Sequence, residues 1–208
     1  MNLLENFIKE CDIALKTLSF KKSGTGRSYP ANKSPSSLSK EEKNLSAQLM
    51  RVNLAGEVAA QALYRGQAMV CKDADVKNHL VQAGEEETDH LIWCKKRLEE
   101  LNGTPSILNP VWYAGSFAIG AIFGSFGERT SLGFVEETEK QVVKHLERHL
   151  DKVSKNDTET IEILKTMRAD EDEHAQEAME NGSDSLSEPT KKLMSFTAKV
   201  MTSSSAYI

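Results

Sequence analysis

Two of the five histidines in this 208-residue chain follow a glutamate by three positions, in Glu87-Thr-Asp-His90 and Glu171-Asp-Glu-His174. On a helix, positions i and i+3 share a face, so each pair can aim one carboxylate and one imidazole at a common point. Two such pairs, each joined by a carboxylate from another long helix, make the donor set of a di-iron or di-manganese centre inside a helix bundle. The remaining carboxylates are supplied by Glu57, 30 residues before Glu87, and Glu139, 32 residues before Glu171. The chain therefore reads as one helix hairpin, Glu…Glu-x-x-His, used twice about a pseudo-twofold axis.

The surroundings of these six residues separate them from ordinary surface acids. Glu57 shares its stripe with Leu54, Ala60 and Tyr64, and Glu139 with Val135, Val142, Val143 and Leu146. Glu87 lies with Leu80, Ala83 and Leu91; Glu171 lies with Leu164, Met167, Ala175 and Ala178. An unpaired carboxylate facing a core is costly, and a metal pair resolves that cost. Glu139 is preferred to Glu136 because Glu136 has Gly133 and Lys140 as neighbours. Glu85, Glu86, Glu136, Glu137, Glu173 and Glu177 read as solvated helix carboxylates. His145 and His149 lie beyond Glu139 on the same helix, where they suit a proton carrier or a donor behind the ligands. His79 reads as structural.

The elements that must hold these residues are all helical. A short amphipathic helix over 2–19 has its stripe at Leu3, Leu4, Phe7, Ile8, Cys11, Ile13, Ala14 and Leu18. Residues 21–39 are rich in Ser, Gly, Pro and Lys and read as a mobile loop, long enough for a lid. Ser39, with Glu42 three residues on, forms a capping box for a helix running to about 71. Asp73 caps a helix that stops at Asn102-Gly103, and Asn156-Asp157 caps one that stops at Asn181-Gly182. Further helices are expected over about 111–126, 130–155 and 188–202. No alternating run is long enough for a sheet. The four long helices, 40–71, 74–102, 130–155 and 158–181, form a four-helix bundle with one long crossover over 104–129, the ferritin-like arrangement. The whole of 1–208 is one domain: helix and loop over 1–39, bundle over 40–181, and a C-terminal helix within 182–208.

Composition removes several other classes. A net charge of −5 and a pI near 5.6 argue against nucleic acid as a partner. Cys11, Cys71 and Cys94 are widely spaced and contain no CxxC, which removes zinc-ribbon and thioredoxin readings and fits a reducing compartment. The N-terminus lacks the basic region of a secretory signal. Imidazole and carboxylate with little sulfur suit iron or manganese, and the small ligand count leaves positions open for O₂.

The crossover has its own chemistry. From Leu101 to Gly127 the sequence contains no charged residue. A helix of about fifteen residues spans roughly 22 Å, short of the ~30 Å hydrocarbon core, so it reads as a helix lying in a membrane surface rather than crossing it. A crossover packed on the bundle or on a second subunit is the competing reading.

With these residues in place, the chain resembles the bacterial branch of the demethoxyubiquinone hydroxylase family of ubiquinone biosynthesis. The resemblance covers essentially the whole length. It is carried by Leu54-Ala-Gly-Glu57-Val-Ala-Ala, Glu85-Glu-Glu-Thr-Asp-His90, Glu137-Thr-Glu139-Lys-Gln-Val and Asp170-Glu-Asp-Glu-His174, and most specifically by Asn109-Pro-Val-Trp-Tyr-Ala-Gly-Ser-Phe-Ala-Ile-Gly120. It implies a peripheral di-iron monooxygenase on the cytoplasmic side of the cell membrane. The implied reaction hydroxylates the ring of 2-polyprenyl-3-methyl-6-methoxy-1,4-benzoquinol with O₂. The resemblance assigns Glu87 and Glu171 as bridging carboxylates, Glu57 and His90 to one iron, Glu139 and His174 to the other, and His145 to the neighbourhood of the quinone. Some branches carry a tyrosine after that histidine; here Leu146 follows, so no tyrosine relay is carried over. Implied partners are the quinol, the bilayer surface, other ubiquinone-biosynthesis proteins and further copies of the chain. A ferritin-like iron oxidase or peroxide scavenger, and a non-enzymatic lipid-carrying bundle, are the alternative functions.

Overall fold

A computed structural model describes residues 3–31 and 37–208. Its helices are α1 (Leu3–Leu18), α2 (Lys40–Val70), α3 (Ala74–Glu100), α4 (Asn109–Gly124), α5 (Glu128–Lys152), α6 (Thr158–Glu180) and α7 (Glu188–Ser205). No strand occurs among the described residues. The expected all-α, ferritin-like bundle with a crossover helix and added terminal helices is the observed architecture.

The helix ends follow the local chemistry of the sequence. Ser39 and Glu42 form the reciprocal capping box of α2, Asp73 accepts from the amides of Asp75 and Val76, and Asp157 accepts from that of Thr160. The chain turns out of α3 at Asn102 with φ 59° and out of α6 at Gly182 with φ 89°, the left-handed exit that relieves the last carbonyls. Pro110 belongs to α4. It sits in the first turn, where the missing N–H is unneeded.

α2 pairs with α3, and α5 pairs with α6, as two antiparallel hairpins. Between them α4 runs parallel to α2, because successive contacts climb together: Gly120 meets Leu63, and Gly124 meets Gln67 and Val70. This carries the chain the length of the bundle, so α5 starts where α2 ends. The contact depends on glycine. A Cβ on Gly120 would lie 2.2 Å from the Leu63 carbonyl oxygen, and one on Gly66 would lie 2.1 Å from that of Phe117. The main core joins Met50, Leu54, Val58 and Ala62 of α2 to Leu91, Cys94 and Leu98 of α3 and to Leu146, Ile163, Leu164 and Met167 of the second hairpin. A smaller cluster at the other end contains Tyr64, Leu80, Val135 and Ala178.

α1 lies against α2 through the Glu10–Arg65 ion pair and the bond from Thr17 to Gln61. Of its expected stripe, the side chains of Leu3, Leu4 and Phe7 lie outside the described residues. Ala14 and Leu18 pack on the core, whereas Ile8 and Cys11 face outward. The segment after α1 is irregular, as expected, and residues 32–36 of it lie outside the described residues. Residues 22–29, read as mobile from composition, are fastened to the bundle. Lys22 Nζ donates to Gln61 and to the Gly84 carbonyl, Thr25 to Asp89, Arg27 to Asp170, and Tyr29 to Glu100.

Replacing Gly120 with Ala forces α4 away from α2. The expected loss is about 1–3 kcal/mol, the usual scale of overpacking, read as a drop of several degrees in the thermal midpoint.

Candidate metal centre

Each hairpin sends its polar face into the seam between the pairs. α2 contributes Glu57, α3 contributes Glu87 and His90, α5 contributes Glu139, and α6 contributes Glu171 and His174. All six are buried, none more than 4% exposed. Glu57, Glu87, His90 and Glu171 can bring one donor atom each within 4.8 Å of one another.

Glu87 and Glu171 each divide their two oxygens between the two histidines. His90 Nδ1 lies 3.1 Å from Glu87 Oε2 and 3.1 Å from Glu171 Oε1, with Glu57 Oε2 at 3.9 Å. His174 Nδ1 lies 3.2 Å from Glu87 Oε1 and 3.5 Å from Glu171 Oε2. Two carboxylates thus span two imidazoles. Glu139 stands at the edge of this group, its Oε1 accepting from the Tyr64 hydroxyl at 2.7 Å.

The donor set fits a pair of divalent cations. Glu87 Oε1, both oxygens of Glu171 and His174 Nδ1 are buried without a hydrogen bond. They approach ring nitrogens or carboxylates closely, but without the alignment a hydrogen bond requires. Four carboxylates also match the charge of two divalent ions. Without cations, protons do the balancing. Glu57 and Glu139 are pushed well above the carboxylate range by burial, then by Glu87 and Glu171 respectively. Burial would also raise Glu87, but His90 and His174 hold it well below its usual value. Burial would lower both imidazoles, and the surrounding carboxylates raise them instead.

Behind the histidines stand two acids. His90 Nε2 lies 2.8 Å from Asp170 Oδ2, and His174 Nε2 lies 2.9 Å from Glu86 Oε2. Each outer carboxylate accepts an Nε2–H and leaves Nδ1 facing the centre, which fixes the ring and its tautomer. Glu86 is therefore not the solvated carboxylate expected from sequence. The missed signal is the acid immediately before Glu87 and before Glu171, in Glu86-Glu87-x-x-His90 and Asp170-Glu171-x-x-His174; each reaches across the seam to the other half's histidine.

His145 lies outside this cluster. Its Nε2 is 3.3 Å from Asn53 Oδ1, one turn before Glu57, and its ring centroid is 4.0 Å from that of His149. Burial, then Arg148, pulls His145 down to about 4; burial, then His145, pulls His149 down to about 2. Both rings are neutral at pH 7. His79, read as structural, has Nδ1 3.9 Å from Glu177 Oε2.

The chain matches the family model described as "Ubiquinone biosynthesis protein COQ7" over residues 44–205. It belongs to that family. Proteins named 3-demethoxyubiquinol 3-hydroxylase are similar to it over nearly their full length. That of Legionella pneumophila strain Lens is 49% identical, covering 100% of this chain and 98% of the relative. That of Francisella philomiragia is 47% identical, covering 97% and 96%. That of Nitrosococcus oceani is 46% identical, covering 100% and 98%. Among solved structures, the dodecameric thioferritin of Bacteroides fragilis aligns with a TM-score of 0.51 at 23% identity, covering 67% of this chain and 84% of that one. That likeness supports the ferritin-like fold alone.

The neutral histidine pair gives a pH dependence. The unfolded chain binds a proton at His149 below about pH 6.5, whereas the folded chain does so only near pH 2. Stability contributed here is present above pH 6.5 and lost as the pH falls, by about 1.4 kcal/mol per unit. His149→Gln should therefore lose less thermal stability between pH 6.5 and 5 than the parent chain, as followed by circular dichroism.

Proposed function

We propose that this chain hydroxylates the ring of a polyprenyl demethoxybenzoquinol with O₂, the reaction class named for its relatives, at a carboxylate-bridged di-iron centre. The observation that carries the reading is the double span of Glu87 and Glu171 between His90 and His174, inside a chain of this family. Glu57 and His90 would hold one iron, Glu139 and His174 the other. When bound, the iron pair supplies the reductive activation of O₂ that ring hydroxylation needs.

The chain's own residues prepare that chemistry. Asp170 and Glu86 hold the imidazole protons on Nε2 and present Nδ1 to the metals. Tyr64 donates to Glu139 Oε1 and leaves Oε2 free as a ligand. Leu54, Leu91, Leu146, Leu164 and Met167 wall the seam with apolar groups and exclude water. His145, neutral and with its Nε2–H directed at Asn53 Oδ1, would line the quinol side of the site.

Substrate access supports placement at a membrane surface. Among the described residues no helix is long and apolar enough to cross a membrane. Yet α4 exposes Val111 and Ile122, with Phe126 just beyond it, α7 exposes Leu193, Phe196 and Val200, and α1 exposes Ile8 and Leu15. Such faces suit helices that lie in the headgroup region, on the cytoplasmic side, while the polyprenyl tail stays in lipid. The double variant Ile122→Glu, Phe126→Glu should stay in solution when the parent chain sediments with liposomes.

The deciding assay measures iron content and quinol hydroxylation on one purified sample, with Glu87→Ala beside it. The parent chain should hold two irons and turn over; the variant should lose product formation by at least two orders of magnitude. Two irons without quinol product, given reductant and lipid, would turn the assignment to an iron oxidase. No iron after anaerobic reconstitution would remove the metal-centre reading.

A further inference from the structure

The two halves of the centre repeat in sequence but not in what stands behind them. Behind His174, Glu86 is 31% exposed in its side chain and accepts from the neutral Gln82 amide of its own helix. Behind His90, Asp170 is only 16% exposed and meets a guanidinium fork. Arg27 NH1 lies 2.7 Å from Asp170 Oδ2, and NH2 lies 3.0 Å from Oδ1. That fork comes from the irregular segment after α1, which precedes the 44–205 region matched by the family model. Nearby contacts fasten the same segment. Arg27 stacks 5.0 Å over the Trp93 ring, whose centroid is 5.3 Å from that of His90. Thr25 bonds to buried Asp89, the residue before His90. Lys22 reaches Gln61, which in turn donates to the Glu87 carbonyl.

We infer that residues 22–27 form a strap that orients the His90 imidazole, with Arg27 as the positioning residue acting through Asp170. A carboxylate held by a bidentate guanidinium has one fixed orientation. Asp170 Oδ2, which Arg27 NH1 grips, is the same oxygen that receives the His90 Nε2–H. Without the fork, Asp170 is free to rotate toward solvent and the ring loses its outer anchor. The strap thus makes the His90 position of the centre more rigid than the His174 position. It acts as a fixed brace rather than the lid that its composition suggests.

The inference rests on the metal-centre reading, so its test reads metal binding rather than turnover. Metal-free full-length chain is titrated anaerobically with Co²⁺, followed by the visible absorption of the bound ion. The parent should bind two equivalents. Arg27→Gln should weaken one of them about tenfold and shift its absorption while leaving the other unchanged, since loss of an outer partner costs 10–100-fold in affinity. Arg27→Lys, which keeps the charge but not the fork, should fall between. Gly24→Ala should act in the same direction without altering any charge, because its Cβ would lie 2.0 Å from Asp89 Oδ1 and displace the strap. A merely structural role would lower the thermal midpoint without singling out one equivalent. If Arg27→Gln does not fold, Gly24→Ala and Arg27→Lys decide the matter. Parent-like binding of both equivalents in the folded variants, or equal weakening of both, overturns the strap. A parent chain that takes up no Co²⁺ overturns the metal-centre reading, and the strap with it.

Discussion

Four carboxylates converge in the seam between two helix hairpins, each almost fully removed from water. Burying that much like charge is unfavourable by far more than any single contact in the bundle can offset. The arrangement persists only if positive charge enters the seam, as protons on the acids and imidazoles or as two divalent cations. Much else in the molecule can be understood as support for this concentration of charge. The hairpins bring the acids together, the apolar cores above and below exclude water, and outer hydrogen bonds orient His90, His174 and Glu139.

That support is built in layers. Glu87 and Glu171 divide their oxygens between the two imidazoles, so neither hairpin can shift without disturbing both halves. Asp170 and Glu86 reach across the seam and tie each histidine to the opposite hairpin. At the end of the bundle beyond His90, Arg97 of α3 binds Asp157, the N-cap of α6, and Glu159 and Thr160 in its first turn. A buried guanidinium satisfied by several partners acts there as a pin rather than an isolated ion pair. The seam is thus closed by polar links as much as by apolar packing.

The crossover joins the centre to the outer surface. Glycines let α4 run against α2 with backbones nearly touching, which leaves its opposite face, uncharged throughout, turned outward. One helix therefore seals the bundle on one side and presents apolar side chains on the other. Both properties suit the proposed function, in which a polyprenyl quinol would approach the buried centre from an apolar medium.

Much of this was legible in the amino-acid order. Helix ends follow from local capping chemistry at Ser39, Asp73 and Asp157, which depends on neighbours a few residues away. The i, i+3 spacing and apolar stripes placed Glu57, Glu87, His90, Glu139, Glu171 and His174 on inward faces, because helical periodicity dictates which residues share a side. Partners distant in sequence were not legible. The acid that precedes both Glu87 and Glu171 is a local mark, but only the packing of α3 against α6 sets Glu86 beside His174. Composition made residues 21–39 resemble a mobile loop, yet Arg27 within it meets Asp170 at a separation of 143 positions. Such contacts depend on how whole helices pack, and only the tertiary structure decides that.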